Sequence, residues 1–486
     1  MTESYDTVVK GGRLATALGT FDADIAIRDG RVAALGETLK GSEIIDARGL
    51  IVTPAGVEAH CHVAQESGAG FMQADDYESA SRAAALGGTG TIVPFASKTR
   101  DRTVAASLDL YAARAEGRSV LDYAQHLILP DAAPATIAAI PEAFARGVTA
   151  LKIFTTYDGV RVDDDAMLAI LKAAAAHGRL VMVHAECHAI IKDRIATLIA
   201  EGKTHPRFHA EARPREAEEE AIFRTLTLAR SVGAAVMIVH VSTAEGAQII
   251  AKARAGGARI WGETCTQYLA LTAEDLDRPA LEAAKYVCSP PPRTAADQHQ
   301  LWRHLARGSL SLFSSDHAPH SHDAQGKFAT CPEVLETGEE PPFTKIANGV
   351  PGIMIRLPYL FSQGVMAGRI SLERFVALTA SNAARLYGLA PDKGSLAVGA
   401  HADLTLWDPE ARWTVPDEAL GDRTKYTPYA GLTLTGRPVL MLQRGIAVMR
   451  RGEVVVPPGT GRRLIPSTPD LSEQPGRAPR SATSAR

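Results

Sequence analysis

The chain has 486 residues, of which 46% are hydrophobic and 22% charged, a composition typical of a globular protein that buries a large core without disulfides. Its net charge of −3, from 52 basic and 55 acidic residues, excludes the strongly basic surface on which binding to nucleic acid or to an acidic membrane depends. The five cysteines never occur in Cys-x-x-Cys spacing, which argues against a structural zinc knuckle and favours a reducing cytoplasm.

The two ends of the chain are predicted to build one small β domain, from residues 1–54 and 391–465. Both stretches consist of short strands with alternating apolar and polar residues, separated by Gly and Asp-Gly turns. Neither a signal peptide nor a membrane span is predicted, because no basic segment precedes an apolar one at the start and no run of 18 apolar residues occurs. Residues 466–486, rich in Ser, Pro, Arg and Ala, are expected to form a flexible tail or to dock on a neighbouring subunit.

Residues 55–390 alternate apolar strands with Ala-rich amphipathic helices. Eight strands are predicted, at residues 57–63, 90–97, 122–131, 150–157, 179–186, 235–242, 259–265 and 310–319. The clearest helices lie at residues 75–88, 163–178 and 214–233. Apolar strands that alternate with helices indicate a parallel sheet covered on both faces, and eight such units predict a (β/α)₈ barrel of the α/β class.

Polar side chains close five of these strands. They are His60 and His62 on strand one, Lys152 on strand four, His184 on strand five, His240 on strand six and Asp316 on strand eight. Taken singly, each has an ordinary interpretation as a hydrogen-bonded core residue, a lysine that reaches solvent or a helix cap. Catalytic groups of a (β/α)₈ barrel lie at the carboxyl ends of its strands, however, and such side chains after buried apolar runs are costly unless paired or bound to metal. Together they predict a metal site.

The six residues suit a centre of two metal ions. Imidazole and carboxylate ligands favour Zn²⁺, with Mn²⁺, Co²⁺ or Fe²⁺ as alternatives. The two histidines of strand one share a face of that strand and are expected to bind one metal with Asp316, while the other two histidines bind the second. A lysine desolvated in such a site loses its proton easily, so Lys152 is predicted to react with CO₂ and to bridge the metals as a carbamate.

Two further features of the sequence bear on this site. Cys61 lies between the histidines of strand one, and alternation along the strand turns it toward the helical layer, so we expect it to pack rather than to ligate. A second His-x-His pair, His320 and His322, lies in a polar loop beyond strand eight, with no strand to orient its rings. We expect that pair to bind no metal.

With these motifs the sequence resembles the amidohydrolase superfamily, and within it the dihydropyrimidinase/hydantoinase family, from about residue 5 to 465. The stretches that carry the resemblance are GVEAHCH, LKIFTTY, VHAE, VHVS and SDHAP. The resemblance implies a binuclear zinc centre bridged by a carboxylated lysine, a β-sandwich made from both chain termini, and a homotetramer or homodimer. It also implies that Tyr157 supports the oxyanion and that backbone groups at Ser289 and Asn348 hold the imide or ureide of the substrate.

The function implied is that of a cytoplasmic hydrolase that opens the C–N bond of a dihydropyrimidine or hydantoin, as in pyrimidine catabolism, and releases an N-carbamoyl amino acid. A hydroxide that bridges the metals would attack the ring carbonyl, with Asp316 moving the proton and Tyr157 stabilising the oxyanion. The expected partner is a small cyclic amide, and neither nucleic acid nor membrane is expected to bind.

Several positions depart from the family's usual pattern. Glu58 replaces the usual Asp, Cys61 replaces the usual Thr, and the loop at residues 63–77 lacks the usual Pro and acidic residue. Ala64 stands where dihydroorotase-like enzymes place an Arg, which argues against an acidic substrate of that kind. Hydrolysis of cyclic imides and allantoinase-type ring opening stay open as alternatives with the same centre, as does, in another class, a non-catalytic tetrameric scaffold.

Overall fold

The computed structural model describes residues 5–67 and 70–471 of the chain. The strands are β1 (Tyr5–Ala15), β2 (Thr20–Arg28), β3 (Arg31–Gly36), β4 (Gly41–Asp46), β5 (Ile51–Pro54), β6 (Gly56–Cys61), β7 (Thr89–Ser97), β8 (Asp122–Tyr123), β9 (Gln125–Ile128), β10 (Val148–Phe154), β11 (Leu180–His184), β12 (Ala235–Ile238), β13 (Ile260–Cys265), β14 (Leu312–Ser314), β15 (Leu404–Thr414), β16 (Thr433–Gln443), β17 (Ile446–Arg450) and β18 (Glu453–Val454).

The α-helices are α1 (Tyr77–Leu86), α2 (Val104–Ala115), α3 (Pro134–Ala145), α4 (Asp164–Ala176), α5 (His188–Ala200), α6 (Phe208–Ala212), α7 (Arg215–Ser231), α8 (Ala244–Ala255), α9 (Thr266–Ala270), α10 (Ala280–Ala283), α11 (Ala295–Arg307), α12 (Val334–Thr337), α13 (Arg356–Leu360), α14 (Leu372–Val376) and α15 (Asn382–Leu386). Short 3₁₀ turns lie at Ala273–Leu276, Ala284–Tyr286 and Phe343–Lys345, and π-helical turns at Phe361–Met366 and Ala377–Ser381.

Eight parallel strand positions form the barrel, in the order β6, β7, β9, β10, β11, β12, β13, β14. The short β8 also pairs with β7 and shares the third position with β9. These strands are buried along their whole length or nearly so, as expected for a parallel sheet with helices outside and packed side chains inside. The last strand meets the first through the N–H of His62, which donates to the carbonyl of His317 at 2.7 Å. The predicted (β/α)₈ barrel is therefore confirmed.

Two of the predicted helices, α1 and α4, begin where the sequence supplies a capping carboxylate. Asp76 precedes α1, accepts from the N–H groups of Glu78 and Ser79 at 3.0 Å, and is capped in return by the Ser79 hydroxyl. Asp163 caps α4 without such a return contact, by accepting from the N–H of Ala166 at 2.9 Å. These caps fix where α1 and α4 begin.

The strands of the two chain ends form the separate small β domain that was predicted. They make one mainly antiparallel sheet in the order β18, β17, β16, β15, β5, β1, β2, β3, with β4 beside β1. The sheet curls back on itself, because the N–H of Ala402, just before β15, donates to the carbonyl of Gly30 in the β2–β3 turn at 2.9 Å. The space that the curled sheet encloses is filled by apolar side chains of six of its strands, β1, β2, β3, β5, β15 and β16.

Ion pairs join the β domain to the barrel. The Lys393 ammonium is 2.6 Å from one Asp122 oxygen and 2.5 Å from Asp403, and Arg444 pairs with the other Asp122 oxygen. Asp122, Asp403 and His401 are grouped closely enough to resemble a metal site. The two cations already neutralise the two carboxylates, so we interpret this group as a structural ion-pair network.

The amino-terminal end of the barrel is closed. Helix α15 and Leu471 belong to the apolar cluster that fills the barrel interior, and Arg179, next to the start of β11, donates to the carbonyl of Ser467 at 3.0 Å. Of the predicted tail, only residues 466–471 are described, and residues 472–486 lie outside the described part of the chain. Within the described residues, no helix has the length and apolar character needed to cross a membrane. Because the amino-terminal end of the barrel is closed, chemistry in the barrel must take place at its opposite, carboxyl end.

Candidate metal centre

Strands β6 and β14 bring three polar side chains to the carboxyl end of the barrel. One oxygen of Asp316, two residues past β14, lies 3.1 Å from Nε2 of His60 and 3.3 Å from Nε2 of His62. One potential ligand atom from each of the three lies within 4.8 Å of the others. Asp316 has a left-handed backbone with φ of 46°, which is costly for a residue with a side chain and is typical of functional sites. The three predicted ligands of the first metal are thus in contact.

The second pair of histidines lies beside the first. His184 closes β11, His240 follows β12, and their ring centroids are 4.5 Å apart. The His240 ring is also 5.5 Å from that of His60. Nε2 of His184 is 2.7 Å from Glu186, which leaves Nδ1 for a metal, and Nδ1 of His240 is buried without a hydrogen-bond partner in the described part of the chain. This arrangement places two further imidazoles where they could bind a metal.

Lys152 lies among these rings on β10 and is fully buried. Within the described residues its Nζ has no hydrogen-bond partner, and it lies 5.4 Å and 5.0 Å from the ring centroids of Phe95 and Phe154. Burial lowers the pKa of Lys152 to about 8, against the opposing effect of Asp316 and Glu263. A buried amine without a partner is costly, and carbamate formation would convert it into an anion that divalent metals stabilise. The residues therefore fit a metal centre of the predicted kind.

The charge around the site also favours a bound cation. Burial opposes protonation of His60, but Glu263 and Asp316 outweigh it and raise the pKa of His60 to about 9. Burial likewise opposes ionisation of Asp316, yet His60 and His62 hold the pKa of its carboxyl well below the usual range. Glu263 and Asp316 thus bring negative charge to His60, which a divalent metal can neutralise in place of the proton.

Carboxylates that the sequence analysis did not assign hold the predicted ligands in place. Glu263, on β13, hydrogen-bonds to Nδ1 of His60. Glu186 hydrogen-bonds to His184 and is itself paired with Arg213 at 2.6 Å. Such carboxylate–histidine contacts fix the ring orientation of metal ligands. The signal in the sequence was a glutamate within an apolar strand, in RIWGETC, where an unpaired charge would not be tolerated.

Of the predicted substrate-binding residues, Tyr157 lies next to this centre, and the Ser289 and Asn348 segments lie beside each other. The ring of Tyr157 is 5.4 Å from that of His184, and the guanidinium of Arg213 lies 5.0 Å from the Tyr157 ring centroid. Burial raises the pKa of Tyr157, although Arg213 and a hydrogen bond from Ser289 oppose the rise, so its hydroxyl stays protonated near neutral pH. The Asn348 segment adjoins the Ser289 segment, because the N–H of Gly349 donates to the carbonyl of Val287 at 3.1 Å.

The structure places Cys61 in a packed cluster and gives each ring of the second histidine pair a backbone partner. Cys61 is fully buried in an apolar cluster with residues of α1, on the helical side of the strand. His320 and His322 each contact a backbone carbonyl through Nε2, that of Asn348 at 3.2 Å and that of Leu281 at 2.7 Å. Their rings are engaged in holding loops.

Comparison with known proteins places the chain among enzymes of one family. The model of the amidohydrolase family matches residues 51–447. The chain is 38% identical over 459 residues to the D-hydantoinase of Geobacillus stearothermophilus, which covers 94% of this chain and 95% of that protein. It is 38% identical over 465 residues to the D-hydantoinase of Rhizobium radiobacter, covering 94% and 98%. The solved structure of the dihydropyrimidinase from Brevibacillus agri NCHU1002 matches with a TM-score of 0.90 at 36% identity, over 95% of this chain and 99% of that one. This chain therefore belongs to the amidohydrolase family, among the hydantoinases and dihydropyrimidinases.

Proposed function

We propose that the protein is a metal-dependent hydrolase that opens the C–N amide bond of a cyclic ureide, a dihydropyrimidine or a hydantoin, and releases an N-carbamoyl amino acid. One observation carries the proposal. At the carboxyl end of the barrel, where four imidazoles and one carboxylate gather, the Lys152 amine is fully buried and has no hydrogen-bond partner within the described residues. The similarity to proteins named D-hydantoinase and dihydropyrimidinase supports the choice of substrate class.

Six residues would hold two divalent ions, with Zn²⁺ the first candidate because of the imidazole-rich ligand set. His60, His62 and Asp316 would bind one ion, His184 and His240 the other, and carboxylated Lys152 would bridge them. When bound, the ions lower the pKa of water and polarise a carbonyl group.

The protein's own side chains would move the proton and stabilise the developing charge. Asp316 accepts a proton from the water that attacks the ring carbonyl and delivers it to the ring nitrogen as the C–N bond breaks. The Tyr157 hydroxyl donates to the oxyanion, and Arg213 orients the Tyr157 ring through its guanidinium. Ser289 and Asn348 hold the amide and carbonyl groups of the ring through their backbone.

The chain is further proposed to divide into a β domain of residues 1–54 and 391–465, a barrel of residues 55–390 and a tail from residue 466. A homotetramer or homodimer is proposed from the family resemblance. A cytoplasmic location is supported by the five cysteines, all free thiols in the structure.

A ring-opening assay on protein loaded with Zn²⁺ tests the proposal. The panel comprises dihydrouracil, hydantoin, a 5-aryl hydantoin, succinimide, phthalimide, allantoin and dihydroorotate, with product detected as the mass of substrate plus one water. We expect the ureides dihydrouracil or a hydantoin to be opened fastest, whereas fastest turnover of an imide would make the protein a cyclic imide hydrolase. His62→Asn should lose metal and activity, and the matched control His322→Asn should keep both. Absence of bound metal and of turnover in wild type would favour the scaffold alternative.

A further inference from the structure

Lys327 is a second fully buried lysine, in the loop beyond β14. Its Nζ donates to three backbone carbonyls, those of Val287 at 2.8 Å, Ala347 at 2.9 Å and Gly349 at 2.6 Å. An ammonium group has three N–H donors, so all are used. Within the described residues, no carboxylate forms an ion pair with it. A cation buried without an anion is costly, and here only carbonyl dipoles compensate the cost.

The three carbonyls flank the proposed substrate-binding residues. Val287 precedes Ser289 by two positions, and Ala347 and Gly349 lie on either side of Asn348. Lys327 therefore connects two chain segments that are about sixty residues apart in sequence. Its own backbone is anchored in the same place, since the N–H of Ala347 donates to the Lys327 carbonyl at 3.0 Å.

Two histidines hold two further carbonyls of these segments. His209 contacts the carbonyl of Cys288 at 2.8 Å, and His320 contacts that of Asn348 at 3.2 Å. The backbone N–H groups of Ser289 and Asn348, by contrast, have no partner within the described part of the chain. Five carbonyls of the two segments are thus bound on the protein side, while two N–H donors are left for another molecule.

The charge of Lys327 acts on one of these donors directly. The Ala347 carbonyl and the Asn348 N–H belong to the same peptide group. A carbonyl that accepts a hydrogen bond from a cation polarises its own peptide group and makes the N–H a stronger donor, since hydrogen bonds in chains reinforce one another.

We propose that Lys327 is a positioning residue for the substrate: its ammonium fastens the Ser289 segment to the Asn348 segment and presents their two unpaired N–H groups to the ring carbonyls of a cyclic ureide. The inference rests on the proposed function and adds to it a residue that touches neither substrate nor metal. Its effect should therefore fall on substrate binding and leave the metal centre intact.

The same geometry makes substrate binding depend on pH. Burial lowers the pKa of Lys327 to about 7, although Cys288 opposes the shift. A neutral amine has two N–H donors for three carbonyls, so the link between the segments weakens as pH rises through this value. The groups that face Lys327 do not change charge in that range, because burial raises the pKa of Cys288 to about 12 and lowers those of His209 and His320 to about 3. Burial also lowers the pKa of His322.

The test compares Lys327→Met, Lys327→Arg and wild type. It measures kcat, KM and the calorimetric Kd for the ureide that is opened fastest, and the metal content of each protein. In Lys327→Met we expect KM and Kd to rise about 10- to 100-fold, with kcat within about threefold and metal content unchanged, since charge-assisted hydrogen bonds are lost without any change of ligands. In wild type, KM should rise about threefold or more between about pH 6 and about pH 8.5. In Lys327→Arg, whose guanidinium does not titrate, KM should stay flat over the same range.

Lys393→Met is the matched control, because Lys393 is equally buried but lies at the contact between barrel and β domain. It should lower Tm and leave KM unchanged. The Lys327 proposal is overturned if KM of Lys327→Met stays within about twofold of wild type, or if kcat, metal content and Tm all fall as KM rises. The pH profile of wild type decides the matter even if the Met variant does not fold, since a flat KM contradicts the proposal. If wild type opens and binds no ring, the proposed function fails, and the Lys327 proposal fails with it.

Discussion

The buried ion pair of Glu58 and Arg356 lies at the barrel seam, where β6 meets β14. It leads to the most specific prediction about stability. Strands β6 and β14 do not form a regular ladder, and the carboxylate of Glu58 lies between them, accepting from the N–H of His60 at 2.9 Å and from that of Ser315 at 3.1 Å. Nε of Arg356 is 3.0 Å from the same carboxylate, and neither side chain is more than 1% exposed. The pair therefore substitutes for strand pairing directly beneath His60 and Asp316.

Arg356→Met should destabilise the protein severely. It leaves the Glu58 carboxylate without its cation in a site where burial already raises the pKa of that group, with Arg356 as the largest opposing influence. Removal of one partner from a buried ion pair costs about 3–5 kcal/mol. The Arg356 guanidinium also donates to carbonyls on both strands, Val57 at 3.3 Å and Phe313 at 3.1 Å, so we expect a loss at the upper end of that range. That is a third or more of the about 5–15 kcal/mol by which a domain is stable.

Urea denaturation of the metal-loaded protein measures this loss, as the shift in midpoint multiplied by the slope m, provided that m is unchanged. Glu58→Gln in the Arg356→Met background should restore part of the stability, because no buried charge is then left unpaired. Arg31→Met is the control, since Arg31 lies 2.7 Å from Asp392 but both side chains are almost half exposed, and we expect its effect to stay below about 1 kcal/mol. A loss below about 1 kcal/mol for Arg356→Met, or strict additivity in the double variant, would refute the role assigned to the pair.

Three further substitutions test the site. Asp316→Asn should keep much of the metal but lower kcat by about 10²- to 10⁴-fold, because the group that moves the proton is lost; activity within about tenfold of wild type would contradict that assignment. Glu263→Gln should weaken metal binding about 10- to 100-fold, because the His60 ring loses its carboxylate partner, and competition with a chelator measures this; unchanged affinity would show that Glu263 does not orient His60. Cys61→Thr should keep the full metal content while it lowers stability by about 1–3 kcal/mol, because a hydroxyl enters an apolar cluster, and loss of metal in this variant would overturn the strand geometry.

The arrangement of the barrel and the positions of the candidate ligands were predictable from the sequence. Both follow from local rules, since apolar strands that alternate with helices indicate the barrel, and the side chain that closes each strand must lie at one end of it. His184, at the end of β11, and Asp316, just past β14, are close in the structure to the other ligands for this reason.

The partners of these residues were not predictable, because they depend on contacts between distant parts of the chain. Glu58 was noted only as a departure from the family's pattern, yet it is the buried carboxylate that holds Arg356 at the seam, 298 positions away in sequence. Lys327 follows a Gly in a polar loop and gave no sign of burial, because the three carbonyls that bind its ammonium belong to two other segments. No periodicity or motif in the sequence encodes such contacts.

The central claim is that two metal ions, bridged through Lys152, drive the opening of a cyclic ureide. Titration of metal-free protein with Zn²⁺ in the presence of bicarbonate, with ring opening followed at each addition, tests it most directly. We predict that activity rises until two equivalents are bound per chain and that Lys152→Ala shows no such rise. A plateau at one equivalent, or equal activity in Lys152→Ala, would contradict the claim.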